Sequence, residues 1–127
     1  MSTTAKDLIF DAPLFRELED VDRQRLGEIT SVKQFSRGEE IFREGSPPEF
    51  SYLIVTGRVK IFKITPAGRD IILELFSAGD LFGAIAAYRG IPYPASAAAL
   101  EDATLLQVPQ KKFFMLLEQH PSLVRGL

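Results

Sequence analysis

The chain has 127 residues, 46% of them apolar, and a formal net charge of −2, a size and composition that suit one packed domain and exclude a disordered chain. The balanced charge carries no global basic signature of nucleic-acid binding, and with no cysteine and a single histidine, His120, disulfides, thiol chemistry and a conventional zinc site are excluded. No apolar run reaches the about 18–20 residues that span a bilayer, and Lys6, Asp7 and Asp11 interrupt the N-terminus as no signal peptide would, so a soluble cytoplasmic protein without a membrane partner is expected.

Residues 1–12 read as a frayed N-terminal arm, anchored by Leu8, Ile9 and Phe10. A lead-in helical segment occupies 13–30. Asp20 is placed to cap a helix running to about Glu28, with Val21, Leu26 and Ile29 towards the buried side. From Ser31 to Val108 the pattern turns to strands. Gly45, Gly57, Gly68, Gly79 and Gly90 recur at steps of 12, 11, 11 and 11 residues. Between them lie short apolar runs at Glu39–Phe42, Ser51–Val55, Val59–Ile64 and Ile71–Phe76. Short strands with turn glycines at this spacing predict an all-β barrel or sandwich.

Thr65-Pro66-Ala67-Gly68 suits a turn closing a hairpin between the last two runs. Ser46-Pro47-Pro48-Glu49 predicts an exposed connection, because proline cannot donate to a ladder. Arg58, Lys60 and Lys63 could form a basic stripe, but a solvated strand face is the better account of them. Pro109 suits a helix start. Phe113, Phe114, Leu116 and Leu117 then make one apolar face, with Lys111, Lys112, Glu118 and Gln119 towards water. His120-Pro121 breaks this helix, and Pro121 opens another that stops within two turns at Leu127, which reads as the interrupted start of a longer helix.

The segment from Gly79 to Ala97 has the outline of a phosphate cradle: a Gly-Asp turn, Phe82-Gly83, a short alanine-rich helix over Gly83–Arg89, Gly90, then Tyr93-Pro94-Ala95-Ser96-Ala97. A helix opening on glycine offers backbone N–H groups to an anion. The side chains that would complete such a site, an arginine for phosphate and an acid for a ribose, are absent where they are needed. Arg89 is the one nearby cation, on the far side of the helix before Gly90.

Taken in order, Gly38–Gly45, Val55–Val59, Ala78-Gly79-Asp80 and this cassette at 79–97 resemble the N-terminal sensory domain of Crp/Fnr-type bacterial transcription regulators. The resemblance implies a mainly β fold with flanking helices, a double-stranded β-helix (β-roll or jelly roll) of the cyclic-nucleotide-binding type. It implies one sensory domain over 1–127, with the roll at 31–108 and C-terminal helices at 109–127 that begin a dimerisation helix. It also implies a homodimer formed through a helix after Pro121, and DNA contact only through a C-terminal domain not in this chain. Members that bind cyclic nucleotides carry Phe-Gly-Glu, a short helix, then Arg-Ser/Thr-Ala. Phe82 and Gly83 match, but Ala84 stands at the Glu position, Tyr93 at the Arg position and Pro94 at the Ser/Thr position; Ala95 fits. Neither tyrosine nor proline replaces the charge-assisted fork that arginine makes with a phosphate.

The resulting expectation is an effector-sensing domain whose small-molecule effector is not cAMP. Its pocket would be formed by Phe82, Gly83, Ala84, Ile85, Tyr93, Pro94, Ala95 and Ser96, and lined further by Ile61, Leu73 and Leu75; taken singly, each of these also suits an ordinary core. Such a pocket suits an apolar or planar ligand, with haem among the candidates and no cofactor assigned. A haem-based nitric oxide sensor would need an axial ligand, and His120, Tyr93 and Met115 are the side chains on offer. A degenerate but working cyclic-nucleotide site, held by backbone donors of Gly83–Ala86, is the other alternative. An enzyme of the cupin type is disfavoured, because one histidine cannot build its metal site, and no catalytic residue or metal ligand is assigned.

Overall fold

The computed structural model of the protein describes residues 4–126. Eight strands form two four-stranded sheets in which every pairing is antiparallel. In chain order they are β1 (Ser31–Phe35), β2 (Glu40–Phe42), β3 (Phe50–Thr56), β4 (Val59–Ile64), β5 (Asp70–Phe76), β6 (Leu81–Phe82), β7 (Ser96–Ala99) and β8 (Ala103–Pro109). The first sheet runs β1-β8-β3-β6 and the second β2-β7-β4-β5. This is the expected β-roll of jelly-roll type.

The strand sequences explain the layering. Side chains alternate across a strand. In β3, Tyr52 and Ile54 therefore point between the sheets, where they pack with Val59, Phe82, Ala97, Ala99, Ala103 and Leu105. Leu53 and its β8 partner Leu106 point the other way, into a second cluster with Ile9, Phe15, Leu18, Leu26 and Leu123. The first sheet is thus covered on both faces, which is why Ser51–Val55 reads as an unbroken apolar run. The small side chains of Ala97 and Ala99 in β7 leave room between the sheets for the large rings of β3 and β6.

The helices come from both ends of the chain: α1 (Ala5–Asp11), a 3₁₀ turn at Pro13–Phe15 and α2 (Asp20–Ile29) from the N-terminus, α4 (Gln110–Gln119) and α5 (Pro121–Gly126) from the C-terminus. Among the described residues no helix is long and apolar enough to cross a membrane.

Several expectations are corrected here. Residues 1–3 of the N-terminal arm lie outside the described residues; Ala5–Asp11 is a helix, closed by a reciprocal cap between Thr4 and Asp7 and held by Ile9, which is buried. The lead-in segment is two pieces, and Asp20 lies inside α2, whose N-cap is Glu19 without a side-chain bond. Val21 is exposed; the buried side of α2 carries Leu26 together with Asp22, which pairs with Arg25 at 2.8 Å. As the preferred reading of Arg58, Lys60 and Lys63 has it, no continuous basic stripe forms: Lys60 pairs with Asp70 at 2.7 Å, Arg58 pairs with Glu101 at 3.6 Å, and Arg58 precedes the strand.

The Thr65–Gly68 turn closes the β4–β5 hairpin as expected, with Gly68 N–H donating to the Thr65 carbonyl at 2.8 Å. One extra residue interrupts that hairpin: Ile61 lies opposite Glu74, but Phe62 lies opposite Ile72. Leu73 is the unpaired residue of a β-bulge.

Two turn glycines separate conformation from space. Gly57 and Gly68 both have positive φ, of 93° and 83°. A Cβ on Gly57 would lie 2.7 Å from the Ala103 backbone and the Asp102 carbonyl, whereas one on Gly68 meets nothing within 4 Å. Gly68→Ala should therefore cost about 1 kcal/mol from backbone conformation alone, and Gly57→Ala at least about 3 kcal/mol, since backbone must also move. Urea unfolding of the two variants measures the difference.

Candidate ligand-binding site

The cassette folds as β6, a short helix α3 (Ala84–Arg89) and an extended return into β7. Gly83 caps α3 at φ 79°, and a Cβ there would sit 3.3 Å from the Phe50 carbonyl and 3.5 Å from the Phe42 and Tyr93 rings. Glycine is needed both for the backbone conformation and for this close approach.

Beneath α3 lies a cavity of about 410 Å³. From the expected set it is lined by Phe82, Gly83, Ala84, Ile85, Tyr93, Pro94, Ala95 and Ile61. Leu73 and Leu75 do not line it. Leu73 is the bulge residue, Leu75 faces outward opposite Lys60, and both are more than half exposed. Their places on the inner wall are taken by Glu74 and Phe76. Ser96 is buried and also absent from the lining; its hydroxyl accepts a hydrogen bond from the Glu44 N–H at 2.9 Å. Phe42, Leu81 and Ala86 complete the wall and were not anticipated from sequence.

Tyr93 organises the floor. Its ring stacks on Phe42 with centroids 3.8 Å apart and planes 7° from parallel. Its hydroxyl donates to the Phe50 carbonyl at 2.6 Å and accepts from the Phe50 N–H at 3.2 Å. Its backbone exchanges bonds with the Gly45–Ser46 corner, Gly45 N–H to Tyr93 carbonyl at 2.8 Å and Tyr93 N–H to Ser46 carbonyl at 3.0 Å. Four hydrogen bonds and a stacked ring thus hold Tyr93 in place. It is 4% exposed.

The electrostatics follow from the lining. No lysine, arginine or histidine borders the cavity, and its one ionisable carboxyl is Glu74. Arg89, at the end of α3, is exposed and does not reach it. Burial pushes the Tyr93 phenol up to about 12 against the opposing effect of its bond to Phe50, and burial likewise raises Tyr52, against the hydrogen bond from Gln107.

Haem does not fit the donor set. His120 caps α4 and donates its N–H to the Leu116 carbonyl, Met115 is exposed on α4, and neither borders the cavity. Tyr93 does border it, but its hydroxyl is committed to Phe50. Among the described residues no group of three or more His, Cys, Asp or Glu could hold a metal ion.

Comparison with known proteins agrees with this fold. The cyclic nucleotide-binding domain family matches residues 32–120, and the chain belongs to that family. It is 34% identical over 116 residues to the transcriptional activator protein Anr of Pseudomonas aeruginosa, covering 91% of this chain and 46% of Anr. It is 29% identical to a cAMP-dependent protein kinase regulatory subunit of Mycosarcoma maydis, covering 86% of this chain and 22% of that protein. The crystal structure of the sensor domain of the transcriptional regulator DNR from Pseudomonas aeruginosa superposes with a TM-score of 0.80 at 27% identity, covering 94% of this chain and 81% of that one. The chain spans less than half the length of the two curated relatives, both of them regulatory proteins. It is a sensor domain of the type found in Crp/Fnr regulators.

The raised phenol gives a pH signature. The folded state keeps Tyr93 protonated where the unfolded chain, with its ordinary value of 10.0, ionises it. This stabilisation is complete below pH 10 and disappears as the pH climbs through about 12. Tyr93→Phe should cost about 1–3 kcal/mol at neutral pH by leaving the Phe50 groups unpaired. It should also flatten the alkaline loss of stability, with Tyr52 accounting for what remains. Chemical unfolding at pH 7 and at successive alkaline values separates the two effects.

Proposed function

We propose that this chain is the effector-sensing part of a Crp/Fnr-type transcription regulator, acting in the cytoplasm without enzymatic activity, and that its effector is not a cyclic nucleotide. One observation carries the reading: Tyr93, at the position the family resemblance gives to a phosphate-binding arginine, is hydrogen-bonded into the β-roll on the floor of a cavity with no cation in its wall. A cyclic phosphodiester placed there would lose its water without gaining a charge-assisted partner. The missing ribose contact at Ala84 points the same way, and the apolar wall of Ile61, Phe76, Phe82 and Ile85 suits a ligand with an apolar or planar body.

Signal output follows from the neighbouring helices. α3 meets α4 through Tyr88 and Phe114, whose ring centroids lie 6.3 Å apart at 61°. An effector that binds differently to two positions of α3 would shift their populations and, through this contact, re-aim the helix beginning at Pro121. In the whole protein that helix would form the homodimer seam and orient DNA-binding domains that follow it; the similarity to Anr, a transcriptional activator, and to the sensor domain of DNR, a transcriptional regulator, supports this reading.

Titration calorimetry with cAMP and cGMP is the direct test. Neither nucleotide should give saturable binding, and tight binding of either would overturn the proposal. Grafting arginine alone should not restore affinity: Tyr93→Arg removes the Phe50 hydrogen bonds and buries an unpaired cation, at a cost of about 3–5 kcal/mol.

A further inference from the structure

The inner wall of β5 departs from the alternation that builds the rest of the roll. Phe76 and Ile61 face the cavity as apolar groups should, and between them, opposite Ile61, stands Glu74. Without the bulge, pairing would place Leu73 opposite Ile61; the extra residue puts a carboxylate there instead. Glu74 takes part in no ion pair or side-chain hydrogen bond among the described residues, although Lys60, on the neighbouring strand, pairs with Asp70. The cavity therefore has no positive group in its wall and a single negative one, exposed to solvent, at its mouth.

We propose that this cavity selects a cationic ligand, a planar or apolar body bearing a protonated amine or quaternary nitrogen that meets the Glu74 carboxylate. The inference rests on the reading of the cavity as the effector site and adds the charge of the effector. An apolar wall with one charged group at its edge supplies affinity through the wall and discrimination through the charge. The competing account of an inward charge is protection of a sheet edge, since β5 is the outermost strand of its sheet.

Two fluorescent probes of comparable size and opposite charge test it on the purified protein: thioflavin T, a planar cation, and 8-anilinonaphthalene-1-sulfonate, an anion. Thioflavin T should bind more tightly. Glu74→Gln should weaken its binding by about fivefold, the upper range for a solvent-accessible ion pair, and strengthen that of the sulfonate. Glu74→Lys should invert the order, and added salt should narrow the gap. Ala84→Phe, which fills the cavity, should abolish binding of both. Binding of neither probe, or binding that Ala84→Phe leaves intact, overturns the cavity as the site and this inference with it. Equal affinities that Glu74→Gln does not change leave the cavity standing and overturn the charge preference alone. A Glu74→Gln protein that elutes as larger species with its probe preference unaltered assigns the carboxylate to edge protection, which also overturns the inference.

Discussion

Tyr93 is the residue on which the ligand-binding end of the roll depends. Its phenol holds both backbone groups of Phe50 at the start of β3, its ring lies flat on Phe42 of β2, and its backbone is tied to the Gly45–Ser46 corner. These contacts join both sheets at one point. A buried phenol that satisfies two otherwise unpaired backbone groups is expensive to remove, so the position has become part of the scaffold. An arginine in the same place would be held out towards a ligand; the tyrosine is held in by the protein itself.

The rest of the architecture supports that end of the molecule. One sheet is buried on both faces, against the other sheet and against helices from both termini. The second sheet is covered on its inner face only, and its edge strand β5 leaves Ile71, Ile72, Leu73 and Leu75 about half exposed. The cavity opens between this less constrained sheet and α3, six residues long with Ile85 and Tyr88 in solvent. The mobile parts of a protein are those with few buried apolar contacts, so the elements around the cavity are the ones best placed to move. α4, which has no fully buried residue, lies beside them as the route outward.

Much of this was legible in the linear order. The apolar runs between regularly spaced glycines correspond to β2, β3, β4 and β5, and the Thr65–Gly68 turn closes the hairpin it was expected to close. The absence of arginine and acid from the cassette was visible directly. The N-terminal helix was missed because seven residues give little periodicity, and its cap, Thr4 with Asp7, is the signal that identifies it. Val21 was misplaced because a helix of mixed polarity does not announce its buried face, and here that face includes the ion-paired Asp22.

By itself, the sequence determined a mainly β chain of short strands between turn glycines, and a cassette without arginine or acid at the positions the family resemblance marks, because turn glycines and absent side chains are local facts. Tertiary structure alone decided what replaced those charges. The bulge at Leu73 exchanges Leu73 for Glu74 on the inner wall, and a one-residue shift in register reverses which side chains face in. The hydroxyl of Tyr93 finds Phe50, 43 residues earlier in the chain. Neither partner could be read in advance, since both follow from how strands distant in sequence meet across the roll.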